Sequence, residues 1–253
     1  MNINITGASV RGNRHVQSGQ PCQDAYAAVC SANIRGVAVA DGLGSAEHAD
    51  AGARIAVDTA SQMVIADPES PDIKPEERVR QAFCKAREAV ITEAEKQGTA
   101  PEEFASTLIV ACYSDGNITI GHIGDGIVVG IRDGHSRVLS PPGESEYANE
   151  TASLMQSDWE RQLRISPTFE IDHAVIATDG CQGAVAVKRG ASFQPHEPFL
   201  LPLLSYIEKK YQNNQNPEPD ISSLLTSRKM QELSGDDKTL VILFREQVSH
   251  RVS

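Results

Sequence analysis

The chain has 253 residues, 40% hydrophobic and 23% charged, enough to bury a sizeable core in one large domain or two small ones. Its 34 acidic against 23 basic residues leave a net charge of −11, which argues against non-specific binding to nucleic acid or an anionic membrane, since both need a basic surface. Five scattered cysteines (Cys22, Cys30, Cys84, Cys112, Cys181) form no C-x-x-C pair, so neither a disulfide framework nor a zinc site is indicated. No window approaches the ~18 apolar residues of a membrane span and no secretory signal opens the sequence, so a reduced, cytoplasmic protein is expected.

Residues 3–9 and 24–31 read as short strands around a polar loop, and GVAVAD (36–41) as a buried strand. An Ala-rich segment follows over 46–66, then a plainer helix over 76–97 with Val79, Phe83, Ala86 and Val90 on one face. Three strands come next, at 106–113, 117–123 and 126–132, with SDGN and GDG between them as hairpin turns. Further strands are expected at 172–178 and 239–244, with helices near 199–211 and 220–233. Residues 140–160, polar and marked by Pro and Gly at their start, suit a surface flap. Strands and helices in blocks, rather than in strict alternation, favour antiparallel sheets with helices outside. A single domain over residues 1–253 is the simplest organisation, with a helical insertion at about 199–233.

Carboxylates recur where apolar strands begin or end: Asp24 in GQPCQDAYAAV, Asp41 in VAVADGLGS, Asp179 in AVIATDGCQGA, and Asp236–Asp237 in SGDDKTLVILF. Asp125 in IGHIGDGIVV sits in a turn. One Asp-Gly is an ordinary turn pair. Several carboxylates gathered at converging strand ends would repel one another, and divalent cations would neutralise them. Oxygen-only ligands select hard ions, Mg²⁺ or Mn²⁺, and the glycines let the backbone come close enough to offer a carbonyl.

In their order these motifs resemble the metal-dependent protein phosphatases of the 2C type. The matching stretches are HVQSGQPCQDAY, Ala40-Asp41-Gly42-Leu43-Gly44-Ser45, Ser106-Thr107, Gly124-Asp125-Gly126, Thr178-Asp179-Gly180 and Asp236-Asp237-Lys238-Thr239. The span 9–244 covers nearly the whole chain, and the first motif is nearest a bacterial subgroup with H-x-x-x-G-x-P-C-Q-D. The resemblance implies an α+β fold, a four-layer α-β-β-α sandwich of two mostly antiparallel sheets flanked by helices. It implies two Mn²⁺ or Mg²⁺ ions, with a place for a third. Asp41 would bridge both ions and the Gly42 carbonyl would bind one. Asp179 and Asp236 would hold one ion, Asp24 would act near the other through water, and Asp125 with Asp179 would match the third position. The implied reaction is hydrolysis of phosphoserine or phosphothreonine on proteins by an activated water, with a phosphoprotein substrate and a cognate Ser/Thr kinase as partners.

The chain departs from the family pattern in three places. An arginine near the first motif usually holds the substrate phosphate; here Arg11 and Arg14 are candidates and the nearest motif position is His15, which joins Asp41, Asp179 and Asp236 as a catalytic candidate. Leu43 replaces a histidine proposed as the acid in many relatives, which leaves metal-bound water or His48 for that role. Gln23 and Asp237 stand where Glu and Asn are common and are expected to support the ligands from behind. His122 reads as a core histidine, Cys22 and Cys181 as packing residues, and Met155 and Trp159 as flap packing. Two alternatives stay open: a catalytically weak or inactive phosphatase-fold regulator that binds phosphoproteins, and a phosphatase for small metabolites.

Overall fold

The computed structural model describes residues 3–66, 73–143 and 151–245. Two antiparallel sheets lie at its centre. The first has the order β1 (Ile3–Val10), β13 (Lys238–Arg245), β10 (His173–Ala177), β6 (Ile127–Arg132), β7 (His135–Ser140). The second runs β2 (Asp24–Cys30), β3 (Ile34–Asp41), β4 (Leu108–Ser114), β5 (Asn117–Ile123), with the short β8 (Arg164–Ile165) and β9 (Phe169–Glu170) both on β5. A separate hairpin pairs β11 (Ala186–Arg189) with β12 (Ser192–Pro195).

Side chains alternate across a strand, and here both faces of each sheet are covered. On β3, Val37 and Val39 point between the sheets, where they join Ile109, Ile120, Ile176 and Val241. Ala38 and Ala40 point the other way, onto α2 (Ala49–Val64) and α3 (Pro75–Gln97). Val175, Leu240 and Ile242 of the first sheet likewise meet α5 (Asp179–Val185), α6 (Glu197–Gln212), α7 (Glu218–Leu225) and α8 (Arg228–Leu233). Three apolar layers between four layers of structure are the expected α-β-β-α sandwich. The predicted face of α3 is buried at Val79, Phe83, Ala86 and Val90. Small residues set the spacing: a Cβ on Gly52 of α2 would lie 2.0 Å from the Phe104 carbonyl oxygen.

The segment expected as one strand meander divides between the sheets. β4 and β5 form the predicted hairpin, with Asp115 and Gly116 both at positive φ (49° and 87°). The GDG segment is no hairpin: β5 pairs in the second sheet and β6 in the first, so Gly124-Asp125-Gly126 crosses between layers. A Cβ on Gly126 would lie 2.8 Å from the Ala177 carbonyl oxygen, which shows how tightly the crossover is squeezed. Both strands are buried on both faces, so their apolar pattern carries no information about which sheet each joins.

The polar loop after β1 contains α1 (Asn13–Ser18), a turn of helix with no buried residue. The expected helix at 220–233 is two, α7 and α8, the second capped by Ser227, whose Oγ accepts from Met230 N at 3.4 Å. Residues 144–150 of the expected flap lie outside the described residues. Of the remainder, Leu154 and Met155 are buried, and Trp159, which opens α4 (Trp159–Gln162), packs on the same cluster, with the Arg87 guanidinium 5.9 Å above its ring.

Candidate metal centre

Sheet register places the first two carboxylates. Asp24 opens β2, Asp41 closes β3, and the two are direct partners in the antiparallel ladder. Thr107, just before β4, holds the end of β3: its Oγ1 accepts from Asp41 N at 2.9 Å and its own N–H donates to the Asp41 carbonyl at 2.8 Å. Thr178, between β10 and α5, joins the other sheet to this point. Its hydroxyl donates to Asp24 Oδ2 at 2.7 Å and accepts from Thr239 N at 3.0 Å. Asp179 therefore enters beside Asp24 and Asp41 at the mouth between the sheets.

The electrostatics record that convergence. Burial, and then the charges of Asp24 and Asp179, push the Asp41 carboxyl well above its ordinary range. Burial likewise raises Asp24 to about 7, opposed chiefly by the hydrogen bond from Thr178. Asp179 rises to about 6, through burial and then the charges of Asp125 and Asp236. Five carboxylates from five chain segments thus share one field. Asp125 is steadied by Thr151 Oγ1, which donates to its Oδ2 at 3.0 Å, and by Gln182 Nε2, which donates to its carbonyl at 3.1 Å.

Among the described residues no three His, Cys, Asp or Glu side chains close into a finished ion cage. The donor chemistry nevertheless fits hard cations. Asp24 Oδ1, Asp179 Oδ1 and Gln23 Oε1 are buried without a hydrogen-bond partner, and all are oxygens. Gly42 permits close approach of α2: a Cβ there would lie 2.7 Å from the Ala49 carbonyl oxygen.

Asp236 and Asp237 are neighbours with different surroundings. The Asp236 side chain is 34% exposed and its Oδ2 lies 3.2 Å from Arg14 Nη1. The Asp237 side chain is buried. Its Oδ1 accepts from Gly12 N at 2.6 Å, and its Oδ2 from Gln23 N at 2.6 Å and faces His15 Nδ1 at 2.9 Å. It ties the start of α1 and the residue before β2 to the turn before the last strand. Among the phosphate-anchor candidates, Arg11 donates to the Gln20 carbonyl at 3.1 Å, Arg14 pairs with Asp236, and His15 spends Nδ1 on Asp237. His48 packs against Phe104 with the rings tilted by 36° and their centroids 4.9 Å apart, and Leu43 packs on the α2–α3 core.

His122 lies in the core as read, with Nδ1 2.8 Å from Ser140 Oγ; its Nε2 has no partner, and burial drives its pKa well down. Cys181 is fully buried, and burial raises the half-buried Cys22 thiol to about 12. The sequence reading missed the bridging role of Thr178 and Thr107, although both lie in quoted motifs, and it missed buried Lys238 entirely. A lysine after two aspartates carries no local signal of burial.

A family model described as protein phosphatase 2C matches residues 11–218. Serine/threonine-protein phosphatase 3 of Escherichia coli (strain K12) is 29% identical over 255 residues, covering 96% of this chain and 98% of that one. The catalytic domain of the serine/threonine phosphatase PstP, solved with two manganese ions, superposes with a TM-score of 0.61 at 14% identity, covering 96% of this chain and 97% of that one. The S. agalactiae serine/threonine phosphatase gives a TM-score of 0.65 at 14% identity, over 96% and 99% of the two chains. These solved structures share the fold, and the family model spans most of the sequence. The chain belongs to the protein phosphatase 2C family.

Proposed function

We propose that this protein removes phosphate from phosphoserine and phosphothreonine on proteins, using two Mn²⁺ or Mg²⁺ ions, with a place for a third beside Asp125 and Asp179. Bound there, such ions lower the pKa of a water and draw charge from the phosphoryl oxygens. Asp41 and the Gly42 carbonyl, Asp24, Asp179 and Asp236 would hold them. Arg14, exposed and paired with Asp236, would leave it for a substrate phosphate, which a guanidinium grips through two donors. Arg11 flanks the same loop, and His15 supports Asp237.

One observation carries this reading: buried, unpartnered carboxylate oxygens on Asp24 and Asp179 within a group of mutually repelling acids. A regulator that binds no cation would gain nothing to offset that cost. We extend the proposal to one catalytic domain over residues 1–253, with a flap at about 140–160 and a helical insertion at about 199–233. A cytoplasmic signalling role opposite a Ser/Thr kinase accords with free, scattered cysteines, and among the described residues no helix is long and apolar enough to cross a membrane. The test is hydrolysis of p-nitrophenyl phosphate and of a phosphoserine peptide with Mn²⁺ or with EDTA. Activity that survives chelation refutes the proposal.

A further inference from the structure

Lys238 has no exposed surface. Lysine is almost never fully buried unless its charge is met, and its ammonium has three protons to place. Here Nζ donates to the Ser234 carbonyl at 2.8 Å, the Asp236 carbonyl at 2.8 Å and Gln231 Oε1 at 3.4 Å. None of these bonds goes to a carboxylate, although Asp236, Asp237 and Asp24 all lie within its field. The backbone at Lys238 is fixed by its ladder partner Val10. Its stem runs beside Gly180, where a Cβ would lie 3.2 Å from Lys238 Cγ and 1.9 Å from the Asp237 carbonyl oxygen. Only glycine next to Asp179 leaves room for this arrangement.

The consequence falls on the turn at 234–237. Lys238 grips two carbonyls of that turn from below, and Asp236 N donates to Ser234 Oγ at 3.1 Å from within it. The two adjacent carboxylates lie differently: Asp237 reaches inward to Gly12, His15 and Gln23, whereas Asp236, partly exposed, accepts from Asp237 N at 3.1 Å through Oδ1 and faces Arg14 through Oδ2. We propose that Lys238 is a positioning residue of the metal centre, clamping the main chain of the turn so that Asp236 is presented to a cation. This rests on the reading of Asp236 as a cation ligand.

Charge and clamp make opposite predictions. An ammonium near a divalent ion repels it, so on charge alone its removal tightens cation binding. On the clamp reading its removal loosens the ligand and weakens binding, as substitutions behind metal ligands do, by about tenfold or more. The experiment is calorimetric titration of metal-free protein with MnCl₂, alongside thermal melting, for wild type, Lys238→Met and Lys238→Arg. Lys238→Met is expected to melt cooperatively and to bind Mn²⁺ about tenfold more weakly, and Lys238→Arg, which keeps donors in place, to recover part of that loss. Equal or tighter binding by folded Lys238→Met, or no recovery in Lys238→Arg, overturns the assignment. If Lys238→Met does not melt cooperatively, Lys238→Gln takes its place on the same criterion. Loss of the fold in both also overturns it, since Lys238 would then support the whole protein. A wild type that binds no Mn²⁺ removes the metal reading and this inference together, whereas wild-type binding matched by Lys238→Met removes this inference alone.

Discussion

Asp24→Asn isolates the cost of assembling the carboxylates without metal. The Asp24 carboxyl moves from 3.8 to about 7 on folding, chiefly through burial. Between those values the folded protein holds a proton that the unfolded chain has released, so stability falls as pH rises. At roughly 1.4 kcal/mol per pH unit, the loss reaches about 4 kcal/mol by pH 7 and then levels off. Asparagine keeps an acceptor for the Thr178 hydroxyl and cannot ionise. In urea titrations of metal-free protein, Asp24→Asn should match or trail wild type near pH 4 and gain on it by about 4 kcal/mol by pH 8. Adding Mn²⁺ should reverse the order, because cation binding stabilises the native wild type more. A difference between the two proteins that stays constant across this pH range, within about 1 kcal/mol, refutes the burial argument.

Asp179→Asn should lower Mn²⁺-supported kcat/KM on p-nitrophenyl phosphate by on the order of 10²-fold, read directly by absorbance. Arg14→Ala should cost under about 1 kcal/mol in urea, because the pair is exposed, and should raise KM for a phosphopeptide more than it lowers kcat. Asp237→Ala strips a buried carboxylate from three donors and should cost on the order of 3–5 kcal/mol in urea, with Asp237→Asn milder. Gly52→Ala forces a methyl against the Phe104 carbonyl and should lower the thermal midpoint by an amount equivalent to about 1–3 kcal/mol.

Much of this protein could be read along the chain. The short apolar run GVAVAD and the 3–4 spacing of Val79, Phe83, Ala86 and Val90 follow from local backbone geometry, so strands and helices were legible. The ordered Asp-containing motifs picked out carboxylates that the fold brings near one another. α1 escaped notice because it buries nothing and so has no apolar face to show. Which sheet receives β6, and so the crossing of Gly124-Asp125-Gly126 between layers, was not legible, since a strand buried on both faces looks the same in either sheet. Nor was the difference between Asp236 and Asp237: two identical side chains in one turn are separated only by what surrounds them, the N–H groups of Gly12 and Gln23 for one, the Asp237 N–H and the exposed Arg14 for the other. Sequence determined which carboxylates stand at the strand ends. Tertiary structure alone decided which of them face one another, because burial and proximity are properties of residues far apart in the chain.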